Sequence, residues 1–216
     1  MNSAQEGSGA NRMVNGVGQM RSWRRIANVA LAVLLALPLG LMLQGAQQED
    51  WVLADALPPS GEAAALIMFA AMAIGPLARL AGGRSEAVRW LMRRRRNIGV
   101  VAFAYAALHL GIYIVDMGAF DLMLAEIGAP GIWTGWLALA LMALPAAASN
   151  DRAMRFLRGW WKPVQRLVYP VVALTLVHWA ILMYGWREPL VHVAPMLALY
   201  AAAVIRPLFA RKRTDR

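Results

Sequence analysis

"NIGVVAFAYAALHLGIYIV", residues 97–115, runs for 19 residues without an acidic or basic side chain. At about 1.5 Å per residue that is a helix of about 28 Å, close to the ~30 Å hydrocarbon core of a bilayer. Five more stretches also lack Asp, Glu, Lys and Arg: 26–48, 63–78, 127–150, 167–186 and 189–205. The whole chain, 216 residues, is 60% hydrophobic and 16% charged, with a mean hydropathy of +0.48. That is too apolar for a soluble domain of this size. None of the runs alternates in polarity, which excludes a membrane β-barrel. The expected fold is an all-α membrane protein, a six-transmembrane-helix bundle.

The net charge of +10 raises nucleic acid as a partner, but the placing of the charges argues against it. Of the 22 basic residues, 21 fall on one side: Arg12, Arg21, Arg24 and Arg25 before the first span, Arg79, Arg84, Arg89 and Arg93 to Arg96 in the second loop, Arg152, Arg155, Arg158, Lys162 and Arg166 in the fourth, and Arg206, Arg211, Lys212, Arg213 and Arg216 at the end. The other loops hold Glu49, Asp50, Asp55, Glu62, Asp116, Asp121, Glu126 and Glu188 against the single Arg187. The positive-inside bias then puts both termini in the cytoplasm, and the run of arginines is topogenic and attracts anionic membrane lipid.

Residues 1–22 are polar and rich in Gly, Asn and Ser, and are expected to form a disordered cytoplasmic tail. The bundle is expected over 23–208 and a basic tail over 209–216. The first span has 23 uncharged residues and no small-x-small cleavage site directly after it, which favours a retained helix over a signal peptide. No outward loop exceeds about twenty residues, so any chemistry belongs to the bundle or its faces.

Three histidines, His109, His178 and His192, and no cysteine are present. Without cysteine there is no Fe–S cluster, thiolate-ligated haem, covalently attached haem or thiol relay. His109 lies 13 residues beyond Arg96, and His178 lies 12 beyond Arg166. Both are therefore about 18–20 Å from the arginine-rich end, on helices that run the same way. Two imidazoles at one depth can hold the iron of a b-type haem between them. The helical spacing places Ala102, Tyr105, Ala106, Ile112 and Tyr113 on the His109 face, with the small residues leaving room for a macrocycle and Tyr105 and Tyr113 bordering it. The alternatives are histidines that only hydrogen-bond between helices and a zinc site, which lacks an acidic ligand at that depth. His192, three residues into the last span, reads as an interfacial side chain. Arg187 is a candidate contact for a haem propionate.

"RRRRNIGVVAFAYAALHLGIYIVDMG", "WWKPVQRLVYPVVALTLVHW" and "GEAAALIMFAAMAIGPLARL" together resemble the third, fifth and second spans of the ferric-reductase-like transmembrane family. The resemblance covers roughly residues 61–184 and is strongest to the branch of haem-binding membrane subunits that serve a periplasmic methionine-sulfoxide reductase. It implies a six-helix cytochrome b that passes electrons across the bacterial inner membrane to a periplasmic molybdenum-cofactor reductase. It also implies quinol or a cytoplasmic flavin reductase as donor, with His109 and His178 as the ligands of the haem iron. The family usually carries one more histidine 13 residues before the fifth-span ligand, where this chain has Gln165. An amide is a poor iron ligand beside imidazole, so one haem is expected rather than two.

Three functions therefore stand: an electron-transfer subunit that is not itself the catalytic subunit, a self-sufficient transmembrane reductase of ferric iron or another small acceptor, and a membrane protein without redox chemistry. No Gly-rich dinucleotide fingerprint follows a strand, so NAD(P)H binding is not expected.

Overall fold

The computed structural model describes the backbone of residues 3–82 and 85–214 and the side chains of residues 22–82 and 85–207. Arg12, Arg21, Arg84 and the basic residues beyond Pro207 lie outside the described side chains. The described residues form α1 (Ser3–Gly45), α2 (Leu57–Ala81), α3 (Glu86–Met117), α4 (Phe120–Glu126), α5 (Pro130–Ala147), α6 (Asp151–Leu157), α7 (Trp161–Arg166), α8 (Val168–Leu182) and α9 (Arg187–Thr214), with no strand among them. Six segments are long and apolar enough to cross a membrane: Ser22–Gly45, Leu53–Ala81, Glu86–Met117, Pro130–Ala147, Asp151–Leu182 and Arg187–Pro207. The chain is a multi-pass membrane protein.

Two boundaries differ from expectation. Arg93 to Arg96 are not in a loop but inside α3, which begins at Glu86 behind the Ser85 cap. Arginine is a good helix former, so about 16 Å of helix precedes the apolar run without a break. The backbone of α1 likewise continues back to Ser3 through the stretch expected to be disordered, since extending a nucleated helix costs far less than starting one.

Packing divides the bundle into two groups. In the first, α2 lies along α3 and α9, with α1 against its outside. In the second, α5 pairs with α8. Contacts of α3 with α5, and lighter ones of α8 with α2 and α9, join the two. The first group can close tightly because α2 presents Ala63, Ala64, Ala65 and Ala71, all buried, and small residues bring membrane helices together. Gly82 and Gly118 end α2 and α3 in the left-handed conformation, the usual glycine stop.

Helix α1 has no fully buried residue in its span; Leu31 and Leu35 pack part-buried against the core, and polar contacts tie the helix as well. The Tyr105 hydroxyl donates to Leu35 O at 2.8 Å and accepts from Leu39 N at 3.1 Å. Leu39 and Leu35 are donor and acceptor of one i→i−4 rung beside Pro38, so the hydroxyl sits in the helical ladder where the proline loosens it. Near the arginine-rich end Trp90 Nε1 donates to Asn28 Oδ1, and Arg24 pairs with Glu86 at 2.9 Å.

Candidate functional site

The seam between the two groups holds a cavity of about 400 Å3, within the range of about 300–1,000 Å3 usual for cofactor sites. His109 enters it from α3 and His178 from α8. Their ring centroids are 6.2 Å apart and their planes 88° apart.

The two rings are held by the same device. His109 Nδ1 lies 3.0 Å from Leu57 O, in the first turn of α2, and His178 Nδ1 lies 2.6 Å from Gly131 O, in the first turn of α5. Four residues on from each carbonyl is a glycine, Gly61 and Gly135, and the ring lies against it. A β-carbon would come within 3.1 Å of His109 Cε1 at the first and 2.7 Å of His178 Cε1 at the second. Before each glycine stands a hydroxyl residue, Ser60 and Thr134, the two buried polar side chains among the described residues. Ser60 Oγ donates to Leu57 O at 2.9 Å and lies 3.1 Å from His109 Nδ1, while Thr134 Oγ1 donates to Pro130 O and Gly131 O at 2.6 and 3.1 Å. Both hydroxyls thus return to the carbonyl that holds the ring.

This chemistry selects one nitrogen. Nδ1–H donates to the carbonyl, which leaves the Nε2 lone pair as the free ligand position. Among the described residues neither Nε2 makes a hydrogen bond. The 6.2 Å between the ring centroids leaves room for one metal ion that both imidazoles would hold, at about 2 Å from each ligating nitrogen. The donor set and the glycine-lined walls therefore fit a haem iron. They do not fit zinc, because no group of three or more His, Asp or Glu residues that could hold a metal ion occurs among the described residues.

The remaining candidates are dispersed. Tyr113 lines the cavity, with its hydroxyl directed to Glu126 Oε2 at 3.4 Å. Tyr105 does not: it faces α1, because a turn of helix before His109 the neighbour of α3 has changed. Arg187 is exposed at the start of α9 and is not among the cavity residues, where Glu188 and His192 are found instead. His192 is more than an interfacial side chain. Its ring stacks on Trp179 at 5.1 Å between centroids, its Nδ1 meets Glu188 O at 2.8 Å, and its Nε2 lies 3.4 Å from Glu62 Oε1. The sequence reading passed over Ser60, Gly61, Thr134 and Gly135. The signal available for them was a hydroxyl residue followed by glycine in the first turns of two spans.

The family described as "Ferric reductase like transmembrane component" matches residues 60–176, which include His109 and both hydroxyl–glycine pairs and end two residues before His178. Three relatives carry the name "Protein-methionine-sulfoxide reductase heme-binding subunit MsrQ". That of Xanthomonas campestris pv. campestris (strain 8004) is 32% identical over 69% of this chain and 68% of its own. The protein of Xanthomonas euvesicatoria is 33% identical over 67% and 66%, and that of Brucella ovis 32% identical over 57% and 58%. No solved structure matches the chain.

Proposed function

This chain belongs to the ferric-reductase-like transmembrane family, and from that premise we propose that it is a haem b electron-transfer subunit of the bacterial inner membrane, with His109 and His178 as the residues that would hold the haem iron. The observation that carries the reading is the facing of these two rings across the seam, 6.2 Å apart. Bound there, haem supplies a one-electron Fe(III)/Fe(II) couple, and two imidazole ligands suit electron transfer rather than oxygen binding.

The protein's own groups do the positioning. The Leu57 and Gly131 carbonyls take the Nδ1 protons and so fix both tautomers. Gly61 and Gly135 leave space for the rings, and Ala65, Ala106, Leu139 and Leu182 give apolar walls.

One haem per chain is proposed, because no third histidine stands at the depth of Gln165. The acceptor is a methionine-sulfoxide reductase, which the relatives' names support, and the family resemblance suggests a periplasmic molybdenum-cofactor enzyme. The donor is quinol, which can approach from within the bilayer, rather than a cytoplasmic flavin reductase, which would work across about 18 Å of helix. Both termini face the cytoplasm by the positive-inside bias. The test is the absorption spectrum of the purified protein, with haem counted by pyridine haemochrome against protein mass. A low-spin b-type spectrum at one haem per chain supports the reading, and a haem-free protein after expression with ample haem overturns it.

A further inference from the structure

At the arginine-rich end of the bundle lies a second cavity of about 560 Å3, between α2, α3, α5, α7 and α8. Its inner part is apolar, with Met72, Gly99 and Ala146, and Met68 and Met142 form a wall shared with the histidine cavity. Four cations line it, Arg95, Arg96, Lys162 and Arg166, and no carboxylate does among the described residues.

Those cations are unequally satisfied. Arg96 pairs with Asp151 at 2.8 Å, and Arg95 Nε donates to Ala71 O at 3.0 Å. Lys162 and Arg166 take part in none of the ion pairs among the described residues. Gln165 between them is already engaged, donating to Pro145 O at 3.1 Å, and no imidazole lines the cavity. Trp161 and Tyr169 stand beside the cations, as aromatic residues do at headgroup level. Two uncompensated cations above a methionine-lined recess call for an anion with an apolar extension, and basic pockets between membrane helices are suited to anionic lipid headgroups.

We propose that this cavity binds an anionic phospholipid, with its phosphate on Lys162 and Arg166 and an acyl chain against Met72, Gly99 and Ala146. The site is independent of the haem reading and of the quinol donor.

The experiment uses the full chain, purified with its haem, delipidated, and titrated with phosphatidylglycerol, with phosphatidylcholine of the same chains, and with glycerol 3-phosphate, binding being read by native mass spectrometry. Two neutralised cations, each worth about fivefold, give an expected loss of about 25-fold in phosphatidylglycerol affinity for the Lys162→Gln/Arg166→Gln variant. A β-carbon at Gly99 meets nothing within 4 Å, and Gly99→Leu, which adds bulk to the cavity lining, is expected to weaken phosphatidylglycerol with all charges intact. Glycerol 3-phosphate is expected to bind far more weakly than the lipid. Equal binding of the two phospholipids overturns the proposal, as does undiminished phosphatidylglycerol binding by either variant. Glycerol 3-phosphate binding as tightly as the lipid makes this an anion site only, and a stoichiometric flavin or second haem displaced by Gly99→Leu also overturns it. The haem absorption band reports folding in every variant, so loss of lipid with the band intact supports the proposal, and undiminished lipid binding with the band intact overturns this proposal alone.

Discussion

Gly135 faces the edge of the His178 imidazole so closely that a β-carbon there would lie 2.7 Å from its Cε1. The ring cannot retreat freely, because its Nδ1 is held 2.6 Å from Gly131 O on the same helix. Overpacking of this kind costs about 1–3 kcal/mol. Gly135→Ala is therefore expected to lower haem occupancy about tenfold, and Gly135→Leu to abolish it. At Gly61 the matching distance to His109 is 3.1 Å, so Gly61→Ala should keep the haem and shift its midpoint potential. Haem content and redox titration check both. Full occupancy in Gly135→Leu would remove the glycine from the account.

Replacing either ligand tests the pair directly. His109→Ala or His178→Ala should lose the low-spin haem spectrum while the protein still inserts, since apolar helices satisfy their own backbone groups in lipid. His192→Ala should keep the haem, as His192 contacts Trp179 and Glu62 rather than either ligand ring. The assignment fails if the 192 variant is colourless and the 178 variant is not.

Tyr105 offers the opposite signature. Tyr105→Phe removes the hydroxyl that accepts from Leu39 N and donates to Leu35 O, at a cost of about 1 kcal/mol. A thermal midpoint about 2–4 °C lower is expected for a chain of this size, with an unchanged haem spectrum. A spectral shift in this variant would return Tyr105 to the haem pocket.

The proposed donor is checked by stopped-flow reduction in proteoliposomes, with a reduced quinone in one arm and NADH with a flavin reductase in the other. Quinol is expected to reduce the haem at the faster rate. Reduction by the flavin system alone would move electron entry to the arginine-rich end.

The six spans were legible because a helix in lipid needs an uninterrupted apolar run, and residues 97–115 or 189–205 read the same in any packing. Depth was legible for a related reason: a fixed rise per residue sets His109 and His178 level. The partners around them were harder to read. Arg187 could be placed at the end of the bundle away from the arginine clusters by counting, yet only the docking of α9 turned Glu188 and His192, and not Arg187, towards the cavity.

What the sequence by itself determined, then, is membrane class, span number and the level of the two imidazoles, all of which follow from hydropathy and distance along one helix. The tertiary structure alone decided which way each helix is turned. Tyr105 and Tyr113 lie a turn on either side of His109, yet the first closes a gap in α1 and the second lines the cavity. It also brought Gly61 and Gly135 against rings far away in the chain. In water an amphipathic stripe announces the buried face of a helix. In a bilayer the lipid side is as apolar as the core, so rotation about the axis is set by close packing between helices, which no single run of residues encodes.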